Sequence, residues 1–139
     1  VLGCKYDAAQ VIESVHNYID FDRFILHKGA ISAAAGELCV VALNMSEGVL
    51  LCKGRGAEDW NYSCAHEAGR ALSRTEAGRL KMSKFKDAMS GVYSSSVIKA
   101  CLDEAPEAYK DSKMIIGAIQ ETVEIIDQMK PVLNIKAVT

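Results

Sequence analysis

The sequence predicts an α+β fold, with strands gathered in its first half and helices in its second. Two observations carry this. Apolar runs at residues 23–31, 37–43 and 49–52 are bounded by turn-forming residues, as half-buried strands are. Beyond residue 72, helix-capping residues precede stretches whose apolar positions recur at helical spacing. Strands first and helices later is the order of an α+β domain, not of alternating βαβ units.

In chain order, residues 7–15 read as a helix, with Asp7 as N-cap and Val11, Ile12 and Val15 at helical spacing. His16-Asn17-Tyr18 then falls at or just past its end. The strand runs follow, and Ser46-Glu47-Gly48 reads as the turn before the strand Val49-Leu50-Leu51-Cys52. Gly54-Arg55-Gly56 breaks that strand. Ser73 and Glu76 have capping-box spacing and start a short helix. Ser83 caps a further helix through Met89. Asp111 or Ser112 caps the longest one, with Ile115, Ile119, Val123 and Ile126 on one apolar face. Pro131 stops it, and an extended tail runs from Val132 to Lys136. No repeat, low-complexity tract or linker interrupts the chain, so residues 1–139 are expected to fold as one unit.

Half of the 139 residues are hydrophobic, enough for a real core, and 24% are charged, with a net charge of −2. That mildly acidic balance argues against a generic nucleic-acid coat, which needs a dense basic face, while leaving room for local contact with RNA ends. Five scattered cysteines, never in a C-x-x-C pair, suit neither a disulfide framework nor a zinc knuckle. A cytoplasmic, reducing setting is expected. The first residues lack a signal peptide's basic and apolar regions, and no apolar run approaches the roughly 18–20 residues of a membrane span.

The chemistry concentrates in Asp59-Trp60-Asn61-Tyr62-Ser63-Cys64-Ala65-His66-Glu67-Ala68-Gly69-Arg70-Ala71-Leu72-Ser73-Arg74. His66, on an expected strand-to-helix turn, suits a nucleophile or phosphate ligand; it equally suits a capping histidine satisfied by backbone. Gly69 would permit close backbone approach to a phosphate. Arg70 and Arg74, about one helical turn apart, suit phosphate contact or a solvated face. His16 is a metal-ligand candidate with no second ligand at close spacing. His27 is a third histidine, and Lys28 beside Gly29 is a weak phosphate signal. Tyr109 suits stacking on a nucleobase or packing against the next helix. Lys136 reads most simply as an exposed tail lysine.

Several strings, in one order, resemble the RtcB-type RNA-splicing ligases. They are Glu13-Ser14-Val15-His16-Asn17-Tyr18-Ile19-Asp20, Lys28-Gly29-Ala30-Ile31-Ser32-Ala33, Leu43-Asn44-Met45 and the histidine segment. Gly91-Val92-Tyr93-Ser94, then Leu102-Asp103-Glu104-Ala105-Pro106-Glu107-Ala108-Tyr109-Lys110, then Lys130-Pro131-Val132-Leu133-Asn134-Ile135-Lys136 complete the series. The resemblance spans essentially the whole chain and matches the C-terminal portion of that catalytic domain.

The resemblance implies a GTP- and Mn2+-dependent ligase that joins RNA 3′-phosphate or 2′,3′-cyclic phosphate ends to 5′-hydroxyl ends, in tRNA splicing or RNA repair. His66 is then the residue that becomes guanylylated, and His16 a manganese ligand. Asn17, Ala42, Leu43, Asn44, Met45, Glu67, Ala68 and Gly69 resemble nucleotide-contacting positions. Tyr109 resembles the residue that stacks on guanine, and Lys136 the one that reads its edge. Lys28, Arg70 and Arg74 resemble basic positions near the phosphates or RNA end. The family pattern usually has glycine where Glu67 stands, proline where Ala42 and Ala65 stand, and serine where Val49 stands. Glu67 and Val49 keep a second reading in view: a divergent relative that binds guanine nucleotide or RNA ends without forming the adduct.

Overall fold

The computed structural model of the protein describes residues 11–136. Seven strands form three small antiparallel sheets. β1 (Asn17–Asp20) pairs with β2 (Ile25–Lys28), setting Tyr18 opposite His27. β3 (Ala30–Ser32) pairs with β6 (Ser63–Ala65). β4 (Leu38–Ala42), β5 (Val49–Gly54) and β7 (Val123–Met129) form a sheet in the order β4-β5-β7. Three short α-helices, α1 (Arg74–Ala77), α2 (Met82–Ala88) and α3 (Ser112–Ala118), complete the α+β architecture.

The β4–β5 hairpin follows from period-two patterning. Cys39 and Val41 point inward from β4, and their neighbours Leu50 and Cys52 do so from β5. Between them, Asn44 Oδ1 accepts hydrogen bonds from the Ser46 and Glu47 amides, an Asx-type turn. Gly48 closes the turn at φ +80°, where a Cβ would stand 2.1 Å from the Met129 carbonyl oxygen. Only glycine fits there.

Three expectations change. The helix expected over 111–130 ends at Ala118, and Val123–Met129 is a strand. Ile115 and Ile119 are buried as helical spacing requires, but Ile126 is 51% exposed, so the helical stripe stops there. The β-branched run Val123-Glu124-Ile125-Ile126 gains more as the third strand on β5 than as two further helical turns. Thr122 marks the switch, its hydroxyl donating to the Ile119 carbonyl. Within the helix expected over 7–15, residues 11–15 are irregular, and 7–10 lie outside the described residues. Ser14 Oγ instead accepts the Val40 amide at 2.9 Å, tying this segment to β4. α2 starts at Met82 with Lys81 as N-cap, so Ser83 lies inside the helix. The capping box at Ser73 and Glu76 forms as the spacing requires.

Two apolar clusters hold the fold. One joins the β4-β5-β7 sheet to Ile31, Cys64, Ile115 and Ile119. The other gathers Met45, Phe85, Met89, Cys101 and Leu102. Leu43 belongs to the first and Met45 to the second, so the segment after β4 crosses from one core to the other. Cys39, Cys52, Cys64 and Cys101 are buried and free, and burial pushes the Cys39 thiol up to about 12.

Candidate functional site

β6 ends at Ala65 and delivers His66 to the surface beside the β2–β3 turn. His66 Nδ1 lies 2.7 Å from the Gly29 carbonyl oxygen. A carbonyl only accepts, so Nδ1 carries a proton, and in the neutral ring the lone pair then lies on Nε2. Gly29 reaches this position at φ +64°, and its own amide donates to the His16 carbonyl and to Asn17 Oδ1. The His16 ring stacks on His66, with centroids 4.6 Å apart and planes 6° from parallel. Residues far apart in sequence thus fix one imidazole in one tautomer.

No helix begins at this point, contrary to the expected strand-to-helix turn. His66 and Glu67 run extended alongside Ala42, whose amide donates to the His66 carbonyl while its own carbonyl accepts from Ala68. α1 starts only at Arg74. The backbone N–H groups of a helix start are therefore not what faces His66. Glu67 Oε1 stands 3.8 Å from His66 Nε2, a carboxylate beside the free lone pair.

A cleft of about 410 Å³ opens next to this segment. Ala42, Leu43, Asn44 and Met45 line it where the chain crosses between the two cores, with Val49 and Glu67 beside them. Tyr109, Asn134 and Lys136 close the other side. Seven residues that the resemblance marks as nucleotide-contacting (Ala42, Leu43, Asn44, Met45, Glu67, Tyr109 and Lys136) therefore share one cavity. Its volume falls in the range of small-molecule sites, roughly 300–1,000 Å³.

Glu104, to which sequence reasoning assigned no role, organises the far wall. It accepts from the Tyr109 hydroxyl at 2.7 Å and from Lys136 Nζ at 2.9 Å, and Arg70 stands 3.4 Å away. Burial alone would raise its carboxyl, but the bonds from Lys136 and Tyr109 and the charges of Lys136 and Arg70 outweigh that and lower it. Burial, then the Glu104 hydrogen bond, pushes the Tyr109 phenol up to about 12. The Arg70 guanidinium lies 5.3 Å from the Tyr109 ring centroid. Lys136 is thus no free tail lysine: a carboxylate aims it. Tyr109, in the loop before α3, is a half-buried ring held at its hydroxyl. No spacing in the sequence marks Glu104 for this role, because its partners Tyr109, Lys136 and Arg70 meet it only in the fold.

The other basic candidates separate. Arg70 and Arg74 do not share a helical turn, since Arg70 forms a backbone bridge with Tyr109 and Arg74 opens α1. Arg70 donates to Leu72 and Asp103 carbonyls, and Arg74 lies 3.9 Å from Asp103. Lys28 is exposed opposite Asn17 in the β1–β2 hairpin. Ala68 is buried. Gly69, at φ +68°, has Lys110 Nζ 3.7 Å from where its Cβ would stand, which sets an unassigned ammonium beside the turn after His66. His27 is a core residue stacked on Tyr18, its Nδ1 3.2 Å from Ser63 Oγ.

For a divalent cation, His16 offers one exposed imidazole beside His66. Among the described residues no group of three or more His, Cys, Asp or Glu side chains converges as a metal cage. One ligand position fits; the others must come from outside them. No helix among the described residues is long and apolar enough to cross a membrane.

A family model described as "tRNA-splicing ligase RtcB" matches residues 2–137. The chain is similar to the RNA-splicing ligase RtcB of Escherichia coli strain K12, with 30% identity over 135 residues, covering 93% of this chain and 33% of that protein. It has the same identity and coverage against RNA-splicing ligase RtcB1 of Escherichia coli strain ATCC 25922. The chain thus spans about one third of the length of these curated relatives.

Proposed function

The chain belongs to the RtcB family of tRNA-splicing ligases, and on that premise we propose that it carries the guanylylation site of a GTP- and Mn2+-dependent RNA ligase. The observation that carries the reading is the single cleft running from Glu67, the neighbour of His66, to Tyr109 and Lys136. Guanine stacks on Tyr109 in this cleft, and Lys136 donates to the base edge. The phosphates then extend past Glu67 toward His66.

With its proton committed to Gly29, His66 presents the Nε2 lone pair to the α-phosphorus of GTP. The N–P bond forms as the bond from α-phosphorus to the bridging oxygen breaks, and pyrophosphate leaves. The Gly29 carbonyl stabilises the positive charge that develops on the ring. An oxygen of the RNA 3′-phosphate then attacks the same phosphorus as the N–P bond breaks and frees His66; a 5′-hydroxyl, its proton passing to solvent, attacks the activated 3′-phosphorus, and GMP departs. His16 would hold one position of a manganese ion, which when bound offsets phosphate charge. Lys110 adds a protein cation near the same turn.

The test is covalent labelling. The complete gene product with Mn2+ and GTP labelled on the α-phosphate retains label after denaturation, and acid releases it. His66→Ala abolishes the label. A label that survives that substitution refutes the assignment.

Glu67 supports one other reading, because a carboxylate 3.8 Å from the attacking nitrogen repels an approaching polyphosphate. On that reading the protein binds guanine nucleotide without forming the adduct. Tight, reversible GTP binding with no acid-labile label would decide for it.

A further inference from the structure

We infer that Asn134 reads the hydrogen-bonding edge of the base in the cleft and thereby selects guanine; this rests on the cleft being the guanine site. Residues 132–136 run extended beside Tyr93–Ser96. The Tyr93 amide donates to the Val132 carbonyl, and the Asn134 amide donates to the Tyr93 carbonyl at 2.9 Å. Ser96 Oγ both accepts from the Lys136 amide and donates to its carbonyl. Two anchor points fix the register, and side chains of an extended segment alternate. Leu133 and Ile135 stand exposed, while Asn134 and Lys136 both line the cleft.

These two side chains differ in hydrogen-bonding capacity. Lys136 carries only donors, whereas Asn134 carries an amino group and also a carbonyl oxygen, the one acceptor of the pair. That oxygen is buried and has no hydrogen-bond partner among the described residues. An acceptor left so destabilises the fold unless something supplies a donor. The terminal amide torsion is soft and roughly two-fold, so rotation about it can exchange the places of the oxygen and the amino group.

Guanine presents O6 as an acceptor beside N1–H and the N2 amino group as donors. Lys136 toward O6 and Asn134 toward N1–H or N2 match that order. Adenine presents an amino group where O6 would be and a lone pair at N1, so it meets donor with donor at Lys136 and, with the Asn134 oxygen turned to the base, acceptor with acceptor. A polar site rejects such a mismatch more sharply than an apolar one does.

The experiment is displacement of a fluorescent GTP analogue from the complete gene product, with Mn2+, by GMP and by AMP. The native protein prefers GMP. Asn134→Ala is expected to weaken GMP roughly tenfold while leaving AMP nearly unchanged. Asn134→Asp, which keeps an acceptor in the same shape, retains the preference. Equal losses for both nucleotides, or no loss, would overturn the inference while leaving the guanylylation reading intact. Failure of the native protein to prefer GMP would overturn both.

Discussion

At Glu104 a single carboxylate holds both a tyrosine hydroxyl and a lysine ammonium, so its protonation state sets the geometry of the cleft wall. Its pKa in the folded chain lies below the ordinary 4.5, so the unfolded chain binds that proton more readily. The stabilisation is present above that ordinary value and is lost as pH falls through the lower folded one. Tyr109 runs the other way: its contribution is complete below 10 and is lost as pH rises through about 12. Glu104→Gln removes the charge from both, and the Tyr109 phenol is then expected to ionise closer to 10. An alkaline absorbance titration against Tyr109→Phe isolates that step, and an unmoved step would contradict the assignment. Guanine-nucleotide affinity should fall roughly threefold to tenfold as Lys136 loses its partner. Gly29→Ala makes a separate prediction. Its Cβ meets only His66 Cε1 at 3.8 Å, so the cost is the positive φ, about 1–2 kcal/mol. A shifted carbonyl releases the His66 proton, and GTP labelling should fall further than the melting temperature suggests.

Among the elements, the turn between β4 and β5 is the most constrained. Gly48→Ala would drive a methyl into the Met129 carbonyl of β7 at positive φ, and a loss of roughly 2–4 kcal/mol is expected in denaturant unfolding. A loss under about 1 kcal/mol would mean that β7 does not pack there. The two strands and the turn between them were legible in the sequence, because the apolar runs at 37–43 and 49–52 and the turn Ser46-Glu47-Gly48 are local signals; their pairing is seen in the structure. The Ser73 capping box was legible for the same reason. β7 was not. Its isoleucines continue the spacing of α3, and only the open edge of β5, some seventy residues earlier, decides between helix and strand. The site divides likewise. His66, Tyr109 and Lys136 were marked by motif, whereas Gly29 and Glu104 act through contacts that spacing does not encode.

Across the whole molecule, the cleft and the metal-ligating side chains are unequally represented. The cleft is walled on both sides by this chain, and the proposed base recognition rests on those walls. The proposed charge neutralisation has less to rest on: His16 is one imidazole, and no group of three ligating side chains converges among the described residues. On the proposed reading, a triphosphate brought against the Glu67 carboxylate without a seated cation is repelled from His66. The 139-residue chain by itself, given GTP, Mn2+ and RNA with 3′-phosphate and 5′-hydroxyl ends, is therefore expected to yield no joined RNA. A polypeptide with the span of the curated relatives, of which this chain covers 33%, should yield it and lose it with His66→Ala. Gel analysis of end-labelled RNA reads both. Joined product from the 139 residues alone would show that one imidazole and Lys110 suffice to neutralise the phosphates.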